Sequence, residues 1–158
     1  MHDFKSIAVY FDKNGNLIGI PSTLIEKWNI LANIDDIVRL YAPYCDEEIE
    51  SFLKMVFDKC YSQTLTELPK QSVLRKLLGT KSDKAAVKEL GLVGLRWLKS
   101  EGYMVTPTWS NARVKSAFAY MEDKTIRVST TFLDGELANA FKEAMDISPI
   151  GPLYAKPE

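Results

Sequence analysis

At 158 residues, with 46% hydrophobic and 26% charged positions and a formal net charge of −1, the chain has the make-up of an ordinary globular protein of one-domain size, so residues 1–158 are expected to form a single domain. That composition excludes a disordered polymer, and no stretch approaches the ~20 apolar residues of a membrane-spanning helix. The opening MHDFKSIAVYFDKNG has no basic stretch feeding an apolar one, so no signal peptide is expected and the expected location is the cytoplasm.

The first predicted element is a hairpin. In SIAVYF, Ile7, Val9 and Phe11 fall on one face, DKNG supplies a turn with Gly15 free to take positive φ, and NLIGI returns until Pro21 ends the strand. Ser22 then reads as the cap of a helix over residues 23–32, with Leu24, Ile25, Trp28 and Leu31 along one stripe. NIDDIVRLYAPYC suits a short helix or a strand and stops at Pro43. Asp46 opens the clearest helix as its N-cap, because Ile49, Phe52, Leu53, Val56, Phe57 and Cys60 recur at helical spacing. Glu47 and Glu48 occupy its first turn, where negative charge suits the helix dipole, and Glu50 and Lys54, four apart, are expected to form a favourable pair. On such a helix Cys45 and Cys60 are ~20 Å apart. A disulfide requires roughly 4.4–6.8 Å, so an internal bridge is ruled out.

YSQTLTELPK is a polar connector. QSVLRKLL predicts a short helix ending at Gly79, and Ser82 caps a second, DKAAVKEL, ending at Gly91. LVGLRWL and YMVTPT follow as strands joined by KSEG; Val93, Leu95 and Trp97 share a face and Gly102 closes the hairpin. Residues 110–123 read only as a loop or an irregular helix. TIRVST is a strand, Asp134 the N-cap of a last helix carrying Leu137, Phe141 and Met145, and SPIGPLYAKPE an irregular tail. The pattern predicts an α+β fold: one mainly antiparallel sheet, with strands around Val9, Ile18, Leu95, Val105 and Val128, packed by helices on one face.

Most catalytic chemistry has no residues to run on. The only histidine, His2, sits at a terminus, so Ser-His-Asp and Cys-His catalysis lack a positioned base. Cys45 and Cys60 lack metal-ligand spacing, and no P-loop or G-x-G-x-x-G cradle occurs, so no metal, cofactor or catalytic residue is expected. The strand-to-helix turn at Asp134–Gly135 offers one glycine, and its carboxylate would repel phosphate; it reads as a joint between packed elements. Between Lys70 and Lys88, six basic residues (Lys70, Arg75, Lys76, Lys81, Lys84, Lys88) loosely resemble a helix-turn-helix, which makes a small nucleic-acid-binding or regulatory domain the alternative reading. No aromatic residue interleaves those charges and the pI is about 5.9, so no nucleic-acid partner is expected.

From about Gly79 onward, GTKSDKAAVKEL, LVGLRWL, YMVTPT, TIRVS and GELANAFKEAM resemble the immunity proteins of contact-dependent growth inhibition, as does the opening hairpin SIAVYFDKNGNLIG. The resemblance covers about half the chain. It implies a non-enzymatic protein whose partner is a cognate toxin domain, often a nuclease, at the C-terminus of a large exported protein. No contact residue is implied, because that surface varies within the family. The charge distribution points to one: residues 1–68 hold 6 Lys/Arg against 11 Asp/Glu, and residues 69–158 hold 14 against 10. A nuclease presents a basic cleft to attract phosphates, so Asp35, Asp36, Asp46, Glu47, Glu48 and Glu50 are the expected contact face. Trp109, outside any periodic run, and Arg113 are the second choice.

Overall fold

A computed structural model describes residues 2–114 and 118–158. Strands β1 (Phe4–Phe11) and β2 (Leu17–Ile25) form the expected opening hairpin, closed at Gly15 by its N–H to the Asp12 carbonyl at 3.0 Å. Its register sets Val9 opposite Gly19 and Phe11 opposite Leu17.

The helix expected over residues 23–32 does not form. β2 runs through Pro21 to Ile25, a turn at residues 26–29 reverses the chain, and β3 (Ile30–Asn33) pairs back with Ser22 opposite Asn33. Pro21 is tolerated because the strand changes partner there: residues 17–21 pair with β1, residues 22–25 with β3. Its missing N–H therefore interrupts no ladder, while its carbonyl still accepts from Ile34 N at 3.0 Å. Ser22 caps no helix; its hydroxyl donates to Asn33 Oδ1 at 3.1 Å. Trp28, expected in the core, lies in the turn, 43% exposed, with Lys27 Nζ 4.5 Å from its ring centre. The ambiguous NIDDIVRLYAPYC supplies β4 (Val38–Leu40), which pairs with residues 17–19 of β2.

Helix α1 (Asp46–Asp58) buries Ile49, Phe52, Leu53, Val56 and Phe57, as its spacing requires. Its N-cap is Cys45 rather than Asp46: the Cys45 N–H donates to Glu48 Oε1 at 3.1 Å, half of a capping box. The two short helices start where their sequences indicate, but the second stops at Val87, short of Gly91, which already pairs with Phe11 as the first residue of the next strand. Ser72 and Ser82 cap α2 (Val73–Leu78) and α3 (Asp83–Val87), and Gly79, at φ 65°, ends α2.

Strands β5 (Gly91–Leu98) and β6 (Gly102–Asn111) form the second hairpin. Of residues 110–123, the middle lies outside the described residues; the rest contributes β7 (Phe118–Tyr120) and the start of a 3₁₀ turn, Glu122–Lys124. β8 (Ile126–Val128), α4 (Glu136–Ile147) and a two-residue strand in the tail, β9 (Pro152–Leu153), complete the chain. The result is the expected α+β fold: a curled sheet ordered β3-β2-β1-β5-β6-β7, with β4 on β2 and β8 and β9 on β6, antiparallel everywhere but the β6–β9 contact. The five strands expected to share it do so.

Because strand side chains alternate, the register assigns each residue a face. Ile7, Val9, Phe11, Leu17, Val93, Leu95, Val105 and Val128 point to one face, where α1 and α4 close the main core. Gly19 lies on that face because nothing larger fits: a Cβ there would stand 2.4 Å from Val56 Cγ2 and 2.9 Å from Phe52 Cζ. Tyr10, Ile18 and Ile20 point the other way. There α2 and α3 cover them with Val73, Leu74, Ala86 and Val87, a second and smaller core. This short pair covers only part of that face.

Candidate functional site

What α2 and α3 leave open is a groove across β2, β1, β5 and β6. It is lined by Phe4, Ser6, Leu31, Gly94, Arg96 and Tyr120 among others, and holds about 390 Å³. Gly94 sits opposite Ala8 in β1 and Thr106 in β6, and its missing side chain shapes the floor. The edge of the Tyr120 ring fills that space, its Cε1 only 2.4 Å from where a Cβ would be. Desolvation raises the Tyr120 phenol above its ordinary pKa. Arg96 Nη2 pairs with Glu122 Oε2 at 3.1 Å along the rim. The Thr106 and Thr125 hydroxyls meet at 2.9 Å. Leu31, 39% exposed, and Phe4 form the apolar wall.

The groove mixes apolar, hydroxyl and charged side chains. Its lining includes no histidine or cysteine, and its one carboxylate, Glu122, is already held by Arg96. Elsewhere, burial pushes the Cys60 thiol up, away from the reactive thiolate. The ring of His2 stacks on Tyr61 at 3.5 Å. Among the described residues no three His, Cys, Asp or Glu side chains are grouped to hold a metal ion, and no helix is long and apolar enough to cross a membrane.

The acidic residues expected to form one contact face are split and mostly engaged within the chain. Asp35 and Asp36 lie beside the C-terminal end of α1: Asp35 accepts from Gln63 at 2.6 Å, and Asp36 from Lys59 at 2.8 Å and Ser62 at 2.8 Å. The Lys59 bond chiefly, then that of Ser62, holds the Asp36 carboxyl below the usual range. Asp46, Glu47 and Glu48 stand at the other end of the helix, ~18 Å away at 1.5 Å per residue. There Asp46 pairs with Lys142 of α4 at 2.6 Å and Glu48 completes the capping box.

Glu50 is not a surface residue. It is 9% exposed, and its carboxylate accepts from Gly135 N at 3.1 Å and Ala138 N at 3.0 Å. It therefore supplies the N-terminal capping of α4 from a distance. That overturns two expectations at once. Asp134 is not the N-cap, since Gly135 at φ 90° is, with no side-chain cap of its own. Nor does Glu50 pair with Lys54, whose Nζ instead lies 5.3 Å from the Phe132 ring centre. The Asp134–Gly135 turn joins packed elements, and Glu50 already holds two of the helix donors a phosphate would need.

Trp109 belongs to β6, opposite Ala119 of β7, and is half-buried; Arg113 is exposed just beyond the strand. Both lie at the β6–β7 edge of the sheet, whereas Asp35 and Asp36 flank β4 on the β2 side, so the two predicted groups do not converge. Sequence reasoning missed the groove itself. Its signal would have been the alternation that puts Ser6, Gly94, Arg96 and Thr106 on the face opposite the core.

Two solved structures share this fold. A protein of unknown function from Neisseria meningitidis superposes with a TM-score of 0.66 at 13% identity, covering 90% of this chain and 94% of that one. A chain of the CdiA-CT/CdiI toxin and immunity complex from Yersinia pseudotuberculosis superposes with a TM-score of 0.63 at 9% identity, covering 92% and 97%. At such identities the likeness is one of fold. No family model matches the chain, and no curated protein matches it.

Proposed function

We propose that this chain is a cytoplasmic, non-enzymatic immunity protein, acting as a single domain, that binds and neutralises the C-terminal toxin domain of a contact-dependent growth inhibition system, the toxin being a nuclease. The observation that carries the reading is the likeness, over nine-tenths of the chain, to a component of a toxin and immunity complex. It joins the resemblance already noted in the second half of the sequence.

On this reading the groove beside Gly94 is the contact face. Its exposed Tyr120 and half-buried Arg96 are of the residue types that dominate binding energy in interfaces, and Leu31 and Phe4 give them an apolar surround. The acidic groups at the two ends of α1 then steer the approach of a basic nuclease and are not its docking surface. The test is co-expression with the toxin domain encoded beside this chain, scored by growth and by co-purification. Protection and a stable complex are expected; unprotected growth arrest with no complex would sink the proposal. Tyr120→Ala should weaken the complex by roughly tenfold or more, as hot-spot truncations of ~2 kcal/mol do. Reversing Asp35 and Glu47 together should slow association and reduce its salt dependence, with a smaller effect on dissociation.

A further inference from the structure

The basic segment between Lys70 and Lys88 carries six Lys/Arg against one Asp, a net of +5 in a chain whose total is −1, so the remainder carries −6. Elsewhere, Lys27, Lys59, Arg96, Lys99 and Lys142 lie within ion-pair distance of a carboxylate. None of the six in the basic segment does so among the described residues. Arg75 turns its Nε to the Thr80 carbonyl at 3.4 Å, and the five lysines are exposed with no side-chain partner there.

A cavity of about 320 Å³ opens at the same place, between α3 and the far end of β6. Ala85, Val87, Ala112, Val114 and Pro152 make it mainly apolar, and Lys84 and Lys88, four residues apart, stand on its lining. We propose that this is a docking site for an acidic polypeptide segment that inserts an apolar side chain between α3 and β6 while its carboxylates meet Lys84 and Lys88. Charge complementarity favours an acidic occupant, and the adjoining apolar walls favour a peptide over a nucleic acid. A phosphate backbone would leave Val114 and Pro152 uncovered. The helices here, of six and five residues, are also short for reading a major groove, and no aromatic residue occurs in the segment for bases to stack on. The site is separate from the groove beside Gly94, so it stands or falls independently of the toxin reading.

The test uses the full chain and three fluorescent probes: a short peptide alternating Glu with Leu, an all-Glu peptide of equal charge, and a short DNA duplex. Anisotropy titrations at low salt and near ~0.15 M ionic strength read affinity and screening together. The Glu/Leu peptide should bind about tenfold tighter than the all-Glu peptide. Lys84→Glu with Lys88→Glu should abolish binding of both peptides. Val114→Asp, a change at a position 58% exposed and so safe for folding, should remove the preference for the Glu/Leu peptide. Equal affinity for the two peptides, tightest binding to the duplex, or no binding by any probe would each overturn the proposal.

Discussion

Replacing Glu50 tests whether a side chain on α1 holds the start of α4. The first turn of a helix leaves four N–H groups without intrahelical partners, and in α4 the Glu50 carboxylate takes two of them, at 3.1 and 3.0 Å. Hydrogen bonds to a charged group are worth ~1.5–3 kcal/mol each, and a negative charge at a partly buried helix N-terminus adds ~0.3–2 kcal/mol. These terms overlap, so Glu50→Ala is expected to cost ~2–4 kcal/mol, with one buried and one part-buried donor left unpaired. Glu50→Gln keeps one acceptor oxygen but turns an NH₂ group toward the other N–H, and should cost ~1–2 kcal/mol. For a chain of this length ~1 kcal/mol moves the melting temperature by ~2–4 °C, so the alanine variant should melt roughly 5–15 °C lower. Thermal and urea unfolding measure this directly. An alanine variant melting within ~1 °C of the parent would refute the reasoning. So would a folded Glu50→Gln variant that lost partner binding, because Glu50 would then act at the surface.

Gly19→Ala should destabilise by ~1–3 kcal/mol in urea unfolding, because its Cβ must displace Val56 and Phe52 in a close-packed core. Ser110, 1% exposed, has the one buried side-chain polar atom without a hydrogen bond among the described residues. Ser110→Ala should therefore leave unfolding stability unchanged or raise it by up to ~1 kcal/mol. Burial, then the charges of Tyr120 and Asp83, push the Tyr10 phenol up to about 12. The unfolded chain ionises Tyr10 near its ordinary value of ~10, so the stability it contributes is present below that pH and is lost as pH rises towards 12. Tyr10→Phe should flatten the fall in stability across this alkaline window, measured as denaturant midpoint against pH.

Much of the fold could be read from local pattern. α1 declares itself through six apolar residues at helical spacing, and α2 and α3 through serine caps and Gly79. The two large hairpins show in alternation and turn residues. The stretch from Ser22 to Leu31 could not be read this way, since its apolar residues fit a helical stripe as well as a strand pair. What decides it is that β2 already pairs with β1 and extends past Pro21 into a second pairing with β3. The energy of that pairing comes from residues distant along the chain, and local propensity is too weak to oppose it.

The position of the candidate site was not legible in the sequence. Composition alone argued for a binding surface over an active site: one terminal histidine, no metal spacing, no phosphate cradle. Where that surface lies depends on neighbours that sequence spacing does not disclose. Asp35 and Asp46 are near in sequence, yet α1 holds their groups at its opposite ends. Glu50 sits among surface acids in the sequence, yet the packing of α1 on α4 aims it at Gly135, 85 residues later. The sequence by itself determined the elements whose signals lie within one or two turns: capped helices, alternating strands and the glycine turns between them. Only the tertiary structure decided which carboxylates face solvent, and that Tyr120 rests on Gly94 to floor a groove. A side chain's role is set by the dielectric and the partners around it, and those come from elements the chain brings together only once it has folded.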